Sequence, residues 1–404
     1  MSELYELPDG WEWKKLGELC DFIRGPFGGS LKKQTFKESG NAVYEQSHAI
    51  YNQFEKIRYF IDDTKFEEMK RFELRPNSLI MSCSGTIGKV AIVPSIIKKG
   101  IINQALLMLT PNDNLNNIFL KLMIESNFFQ TLLSENSTGA AIANVASVKV
   151  LKNLSIPLPP LIEQKRIVSK LDTLFEKIDK SIELHEKNIK EADAFMGSVL
   201  NEVFEELEDN NSIIKINDIV VKTNNKNTKE NAKSNYTYID ISSIDNKLFK
   251  IEEPKIILGE EAPSRAKKEV FIGDILYATT RPNLKNIAII EKEYDNPIAS
   301  TGFCILRVNN ENEKKFLFYY LLTNKLFEQI EPNIRGAQYP ATSDKDLKNC
   351  NIPKVSLLIQ QKVVKYLDKV SLKIEKTKAI QKEKLQNLKD LKASILDQAF
   401  KGLL

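Results

Sequence analysis

Side chains able to do covalent chemistry are few in this 404-residue chain and badly spaced for it. There are two histidines, His48 and His185, and four cysteines, Cys20, Cys83, Cys304 and Cys350. The cysteines stand 63, 221 and 46 residues apart, so no C-x-x-C pair exists and no zinc set can be completed. Reduced, buried thiols are the expectation. The stretch SGTIGKV has the glycines and lysine of a phosphate loop (Gly85, Gly88, Lys89) but not its spacing. A Walker motif needs four residues between its glycines and a Ser or Thr after the lysine, where this chain has two and Val90. Pro159–Pro160 is flanked by Leu158 and Leu161, where an amino-methyltransferase loop needs an amide or acid before and an aromatic after. No glycine-rich dinucleotide loop and no Ser–His or Cys–His arrangement stands out. The residues predict no catalytic site, no metal site and no cofactor bound by this chain. They read as a binder.

What remains is a set of small polar and basic groups in loops. In the first half these are Ser47 and His48, Ser82, Ser84, Thr86 and Lys89, Asn103 and Gln104, and Asn144. In the second half they are Ser242, Thr279, Thr280, Arg281, Asn283 and Lys285, Thr301, and Arg335, Gln338 and Tyr339. Amides, hydroxyls and guanidinium groups are what base edges and phosphates require. Turn chemistry alone also enriches Ser, Thr, Asn and Gly. The distinguishing feature is that these loops fall at matching places in two halves of the chain, with Arg281 and Arg335 among polar neighbours.

The matching follows from an internal repeat. NSLIM (from Asn77) aligns with GDILY (from Gly273) at an offset of 196, and GKVAIV (from Gly88) with KNIAII (from Lys285) at 197. LKNLSIP (from Leu151) aligns with LKNCNIP (from Leu347), and SVLNEVF (from Ser198) with SILDQAF (from Ser394), both at 196. Strand-like runs bounded by Gly, Pro, Asn and Ser predict a β-rich α/β (α+β) globule in each copy. One helix per globule is expected, over Ile118–Leu133 and Phe316–Ile330.

Each copy then ends in a long helical stretch. After Pro159–Pro160 apolar or small residues recur at Ile167, Leu171, Leu174, Ile178 and Ile182 and on to Val203, in steps of three and four. A helix of this length runs roughly 70 Å and needs a partner for its narrow stripe. Residues 156–210 carry a net charge of −6 and residues 354–404 a net +7, within a chain whose total is only +4. Opposite charge favours pairing these helices with each other, as an antiparallel intramolecular coiled coil joining two similar globules about a pseudo-twofold axis. The expected division is residues 1–157, a first recognition globule; 158–210, a first long helix; 211–353, a second globule; and 354–404, a second long helix. No run of 18 apolar residues exists, so no membrane span is expected and a cytoplasmic location is.

Over its whole length the chain resembles the specificity subunit of a Type I restriction–modification system. The resemblance is carried by LPDGWEWKKLGEL, MSCSGTIGKVAI, INQALLML and SIPLPPLIEQKRIVSKLD in the first copy. In the second it is carried by GDILYATTRPNLKNIAII, IASTGFCILR, LKNCNIP and the terminal SILDQAFKGLL. It implies two target-recognition domains separated by spacer helices, reading an asymmetric, two-part site on double-stranded DNA. It further implies docking of two modification subunits and, through them, restriction subunits. S-adenosylmethionine, ATP and Mg would be bound by those partners. The second proline junction, IPKVSLLIQQ, lacks the double proline of the first, which leaves Ser356 as the candidate cap of the second long helix. Three other readings stand beside this one. An orphan or regulatory paralogue would carry the same sequence signals. An RNA-binding scaffold should show aromatic or GXXG signatures that are not evident. A methyltransferase in its own right conflicts with the missing motifs.

Overall fold

Runs of leucine and β-branched side chains closed by Gly, Asn or Ser form strands in both halves of a computed structural model of the chain. The structure describes residues 5–136, 145 and 147–404. The chain divides into two units, residues 1–185 with 383–404 (unit 1) and residues 186–382 (unit 2).

Unit 1 contains β1 (Glu12–Lys15), β2 (Cys20–Arg24), β3 (Asn41–Tyr44), β4 (Tyr59–Ile61), β5 (Leu79–Ser82), β6 (Val90–Ile92), β7 (Gly100–Ile102), β8 (Leu106–Pro111) and β9 (Ser155–Leu158). Strands β2, β8, β5 and β6 make an antiparallel sheet in that order, and β4, β3 and β7 a second sheet in which β3 and β7 run parallel. Unit 2 repeats the plan. Its strands are β10 (Ile213–Lys215), β11 (Val220–Val221), β12 (Asn235–Ile239), the short β13 (Ile244–Asp245) and β14 (Lys250–Ile251), β15 (Lys255–Leu258), β16 (Ala266–Glu269), β17 (Ile275–Ala278), β18 (Ile287–Ile289), β19 (Pro297–Ser300), β20 (Phe303–Val308) and β21 (Asn351–Pro353). The order β11-β20-β17-β18 matches the first sheet of unit 1, and β15-β12-β19-β16 matches the second with one added strand.

The helices include α1 (Gln46–Tyr51), α2 (Asn117–Glu125), α3 (Asn127–Glu135), α4 (Leu161–Asn210), α5 (Lys314–Leu321), α6 (Asn324–Ile330) and α7 (Leu357–Phe400), with shorter ones at Asp63–Glu68, Val148–Lys152 and Asp344–Lys348. Two expectations are corrected. The helix expected over Ile118–Leu133 is two helices, because the buried Ser126 hydroxyl donates to Met123 O and accepts from Phe129 N, ending one helix and capping the next. Thr323 does the same between α5 and α6 through Tyr320 O and Leu326 N.

The long helices contribute to both units. In unit 1, Ile167, Val168 and Leu171 of α4 share one core with Leu396, Ala399 and Phe400 of α7 and with Phe119 and Leu120 of α2. In unit 2, Val199, Leu200 and Phe204 of α4 share a core with Val364 and Leu367 of α7 and with Phe316, Leu317 and Tyr320 of α5. Each globule is thus completed by the helix end that belongs, in sequence, to the other copy. The helices run antiparallel in each unit, as the cross-helix pairs show. Lys392 meets Asp179 at 2.7 Å in unit 1, and Lys378 meets Asp193 at 2.6 Å in unit 2.

The start of each long helix is fixed by one buried glutamine. Gln164 accepts from Asn116 N at 2.8 Å and donates to Asn114 O and Pro159 O. Gln360 accepts from Glu313 N at 2.7 Å and donates to Asn312 Oδ1 and Val355 O. Ser356 stands just before α7, its carbonyl accepting from Ile359 N and Gln360 N. The four cysteines are free and buried.

Candidate nucleic-acid interface

In each unit the sheet topology delivers several loops to one end. In unit 1, β2 and β5 finish where β6 and β8 begin, since Arg24 pairs with Leu107, Ser82 with Leu106, and Met81 with Val90. The parallel pair β3 and β7 finish together, and Asn103 N donates to Tyr44 O. The segments 45–48, 83–89 and 103–105 are therefore neighbours. Ser84 N donates to Gln46 Oε1, and Cys83 N donates to Ala105 O.

The candidate residues of unit 1 divide by exposure. Ser47, Thr86, Lys89 and Gln104 are exposed, and Ser84 and Asn103 are half-buried. Ser82 is buried; its hydroxyl accepts from Lys89 N and its carbonyl from Gly88 N, which closes the 83–88 loop. His48 is buried too. Its Nδ1 accepts from Glu45 N at 2.9 Å, its ring meets Tyr44 edge-on, and its Nε2 has no hydrogen-bond partner among the described residues. Asn103 Oδ1 accepts from Ala105 N, shaping its own turn. Asn144 lies outside the described residues.

Unit 2 brings its candidates together more tightly. Thr279 donates to Gly302 O through both its N–H and its hydroxyl, and Thr301 N donates to Arg265 O. Thr342 N donates to Thr279 O and Arg281 N to Pro340 O, so the 279–285 loop is clasped to the 335–342 segment. Within that segment Arg335 and Ala341 exchange both backbone hydrogen bonds, at 2.9 Å each. The Arg281 guanidinium stands 5.1 Å from the centre of the Tyr339 ring. Arg281, Asn283, Thr301, Arg335, Gln338 and Tyr339 are exposed, and Thr280 is half-buried beside its partner Ala341. Arg281 and Lys285 both hold a left-handed backbone, φ +50° each, on either side of the turn at Pro282–Leu284. Two non-glycine residues in that region mark a loop whose shape is imposed by its surroundings.

Ser242 is exposed but turned to Asp240, whose carboxylate also accepts from Ser243 and pairs with Lys255 at 2.6 Å. Burial raises the Asp240 carboxyl, yet the bonds from Lys255, Ser242 and Ser243 outweigh it and hold the group below its ordinary range. Lys285 donates to Leu322 O at 2.7 Å and to Asn324 Oδ1, and burial lowers its ammonium pKa. Its charge is directed into the protein.

The sequence reading missed Arg24 and Arg265, both at these same edges. A single arginine at a strand end carries no pattern; only the register shows that it meets the loops. Among the described residues no group of three His, Cys, Asp or Glu could hold a metal ion, and no helix is long and apolar enough to cross a membrane.

A family model of the Type I restriction modification DNA specificity domain matches residues 8–192 and 208–386, one match over each copy of the repeat. The chain belongs to that family. It is 25% identical over 416 residues to the Type I restriction enzyme MjaVIII specificity subunit of Methanocaldococcus jannaschii, covering 95% of this chain and 91% of the relative. Its fold is similar to a chain in a structure on complex assembly and conformational transition of the type I R-M system, with TM-score 0.75, 22% identity and coverage of 99% and 100%. It is also similar to the HsdS subunit from Thermoanaerobacter tengcongensis, with TM-score 0.58, 23% identity and 99% of each chain covered. As a Type I specificity subunit the chain serves recognition of DNA sequence rather than catalysis.

Proposed function

We propose that each unit reads one half of an asymmetric, two-part site on double-stranded DNA through the loops at its sheet ends. The observation that carries this reading is the repeat itself. Two sheets of the same strand order present different side chains at equivalent positions, SCSGTIGK in one and ATTRPNLK in the other. Different donors and acceptors on one scaffold select different bases. In unit 1 the base and phosphate contacts are assigned to Ser47, Ser84, Thr86, Lys89, Asn103 and Gln104. In unit 2 they are assigned to Thr280, Arg281, Asn283, Thr301, Arg335, Gln338 and Tyr339, with Ser242 at the rim. His48, Ser82, Thr279 and Lys285 shape those loops from beneath, which their burial and internal bonds support.

In this reading residues 1–157 and 211–353 are the recognition domains, and residues 158–210 and 354–404 are spacer helices whose length sets the gap between the half-sites. Two modification subunits dock on the chain, and restriction subunits join through them. S-adenosylmethionine, ATP and Mg are bound on those partners, in the cytoplasm. Base-resolution detection of methylated adenine in DNA from cells carrying the system tests the proposal. One motif with two defined parts and a fixed non-specific gap is expected. Methylation without sequence preference, or at a single continuous motif, would overturn it.

A further inference from the structure

Strand β2 runs to the reading end of unit 1, whereas its counterpart β11 stops after two residues and the chain turns away to pair Asn225 with Lys268. The segment leaving β2 therefore has no equivalent at the end of unit 2. Gly25 N donates to Leu106 O, and the Gly25 backbone lies so close to Asn103 that a Cβ would sit 1.8 Å from its carbonyl oxygen. Only glycine fits there. The chain is pinned against the Asn103–Gln104 turn as it emerges. Pro26 is buried, Ser30 N donates to Phe27 O at 2.9 Å, and a single 3₁₀ turn follows. Phe27, between these anchors, is 92% exposed. A phenyl ring left in water forgoes the stabilisation of burial, and here it does so on an anchored turn rather than a frayed end.

The same strand end carries a cation with no counter-ion among the described residues. The Arg24 guanidinium lies beside the Cys83 thiol and makes no ion pair among the described residues, and its Nη1 is buried without a hydrogen-bond partner. Within four residues of chain the segment joins a strand-end cation, a backbone pinned to the Asn103–Gln104 turn and an exposed apolar ring, which is chemistry suited to a nucleic acid: charge for the backbone, amides for base edges, a ring for the stack.

On the basis of the proposed DNA-reading role, we propose that Phe27 inserts between adjacent base pairs of the half-site read by unit 1. Unit 2 differs in that its exposed edge aromatic, Tyr339, lies against Arg281.

The test uses the full chain assembled with its modification subunits and a duplex carrying the motif that the complex methylates. Phe27→Ala should weaken binding roughly tenfold, as expected when one base contact of stacking strength is lost. The slope of affinity against salt should not change, because no phosphate contact is removed. With 2-aminopurine placed at each step of the half-site in turn, the wild-type complex should raise fluorescence at a step where Phe27→Ala does not. Phe27→Tyr should behave as wild type in both measurements, and neither variant should alter the melting temperature. Binding and fluorescence unchanged in Phe27→Ala would overturn this inference alone. A wild-type complex with no sequence-dependent binding would overturn it together with the proposed function.

Discussion

Lys285 and Lys89 occupy nearly equivalent loops, yet only Lys89 offers its charge to solvent, while the Lys285 ammonium is spent on Leu322 O and Asn324 Oδ1. Lys89→Ala should therefore reduce the slope of log affinity against log salt by about 1, whereas Lys285→Met should leave that slope alone and lower the melting temperature. Titrating both variants with DNA at several salt concentrations separates the two roles. Arg281→Ala should cost ~1–3 kcal/mol of discrimination at one base of the half-site read by unit 2, with unit 1's half unaffected. Competition binding with single-base variants of the motif measures this. Tertiary geometry decides such differences, and the sequence offers little of it. The lysines look alike in the alignment of the two copies, and nothing local tells which ammonium turns inward. Arg281 was legible because it stands in a polar loop matched to another polar loop; Arg24 and Arg265 were not, because only strand register brings them to the edge.

Among the elements, the long helices were read from their spacing and charge, and their starts from the SIPLPPLIEQ and IPKVSLLIQQ stretches, by Pro159–Pro160 in the first and Ser356 in the second. The role of the glutamine in those stretches was not legible, since a polar residue at the first turn of a helix looks like surface. Gln164 closes three backbone groups, at Asn114, Asn116 and Pro159. Gln164→Leu should leave them unpaired and destabilise unit 1 by at least about 2 kcal/mol, visible as a shift in its denaturation transition. The breaks at Ser126 and Thr323 escaped for a related reason. The apolar stripe passes straight through them, and a capping hydroxyl interrupts a helix without interrupting the hydrophobic pattern. Charge between the helices is testable as a pair of swaps. Lys378→Glu with Lys392→Glu sets like charges against Asp193 and Asp179, and should lower the melting temperature by an amount worth about 1–2 kcal/mol in total at low salt. Adding Asp193→Lys and Asp179→Lys should restore it.

Across the whole molecule, duplication is the fact from which the rest follows. One fold written twice gives two sheet ends of the same strand order, and the loops that those ends present differ in sequence, as SCSGTIGK and ATTRPNLK do. If each end reads its own bases, the two specificities are separable by exchange. The central claim is tested most directly by replacing residues 211–353 with the matching region of a related specificity subunit and mapping methylated adenines in the DNA of cells that carry the chimera. A motif is expected in which one half changes while the other half and the gap between them stay as they were. A motif in which both halves change together would contradict it, and would mean that the two units read DNA as a single composite surface.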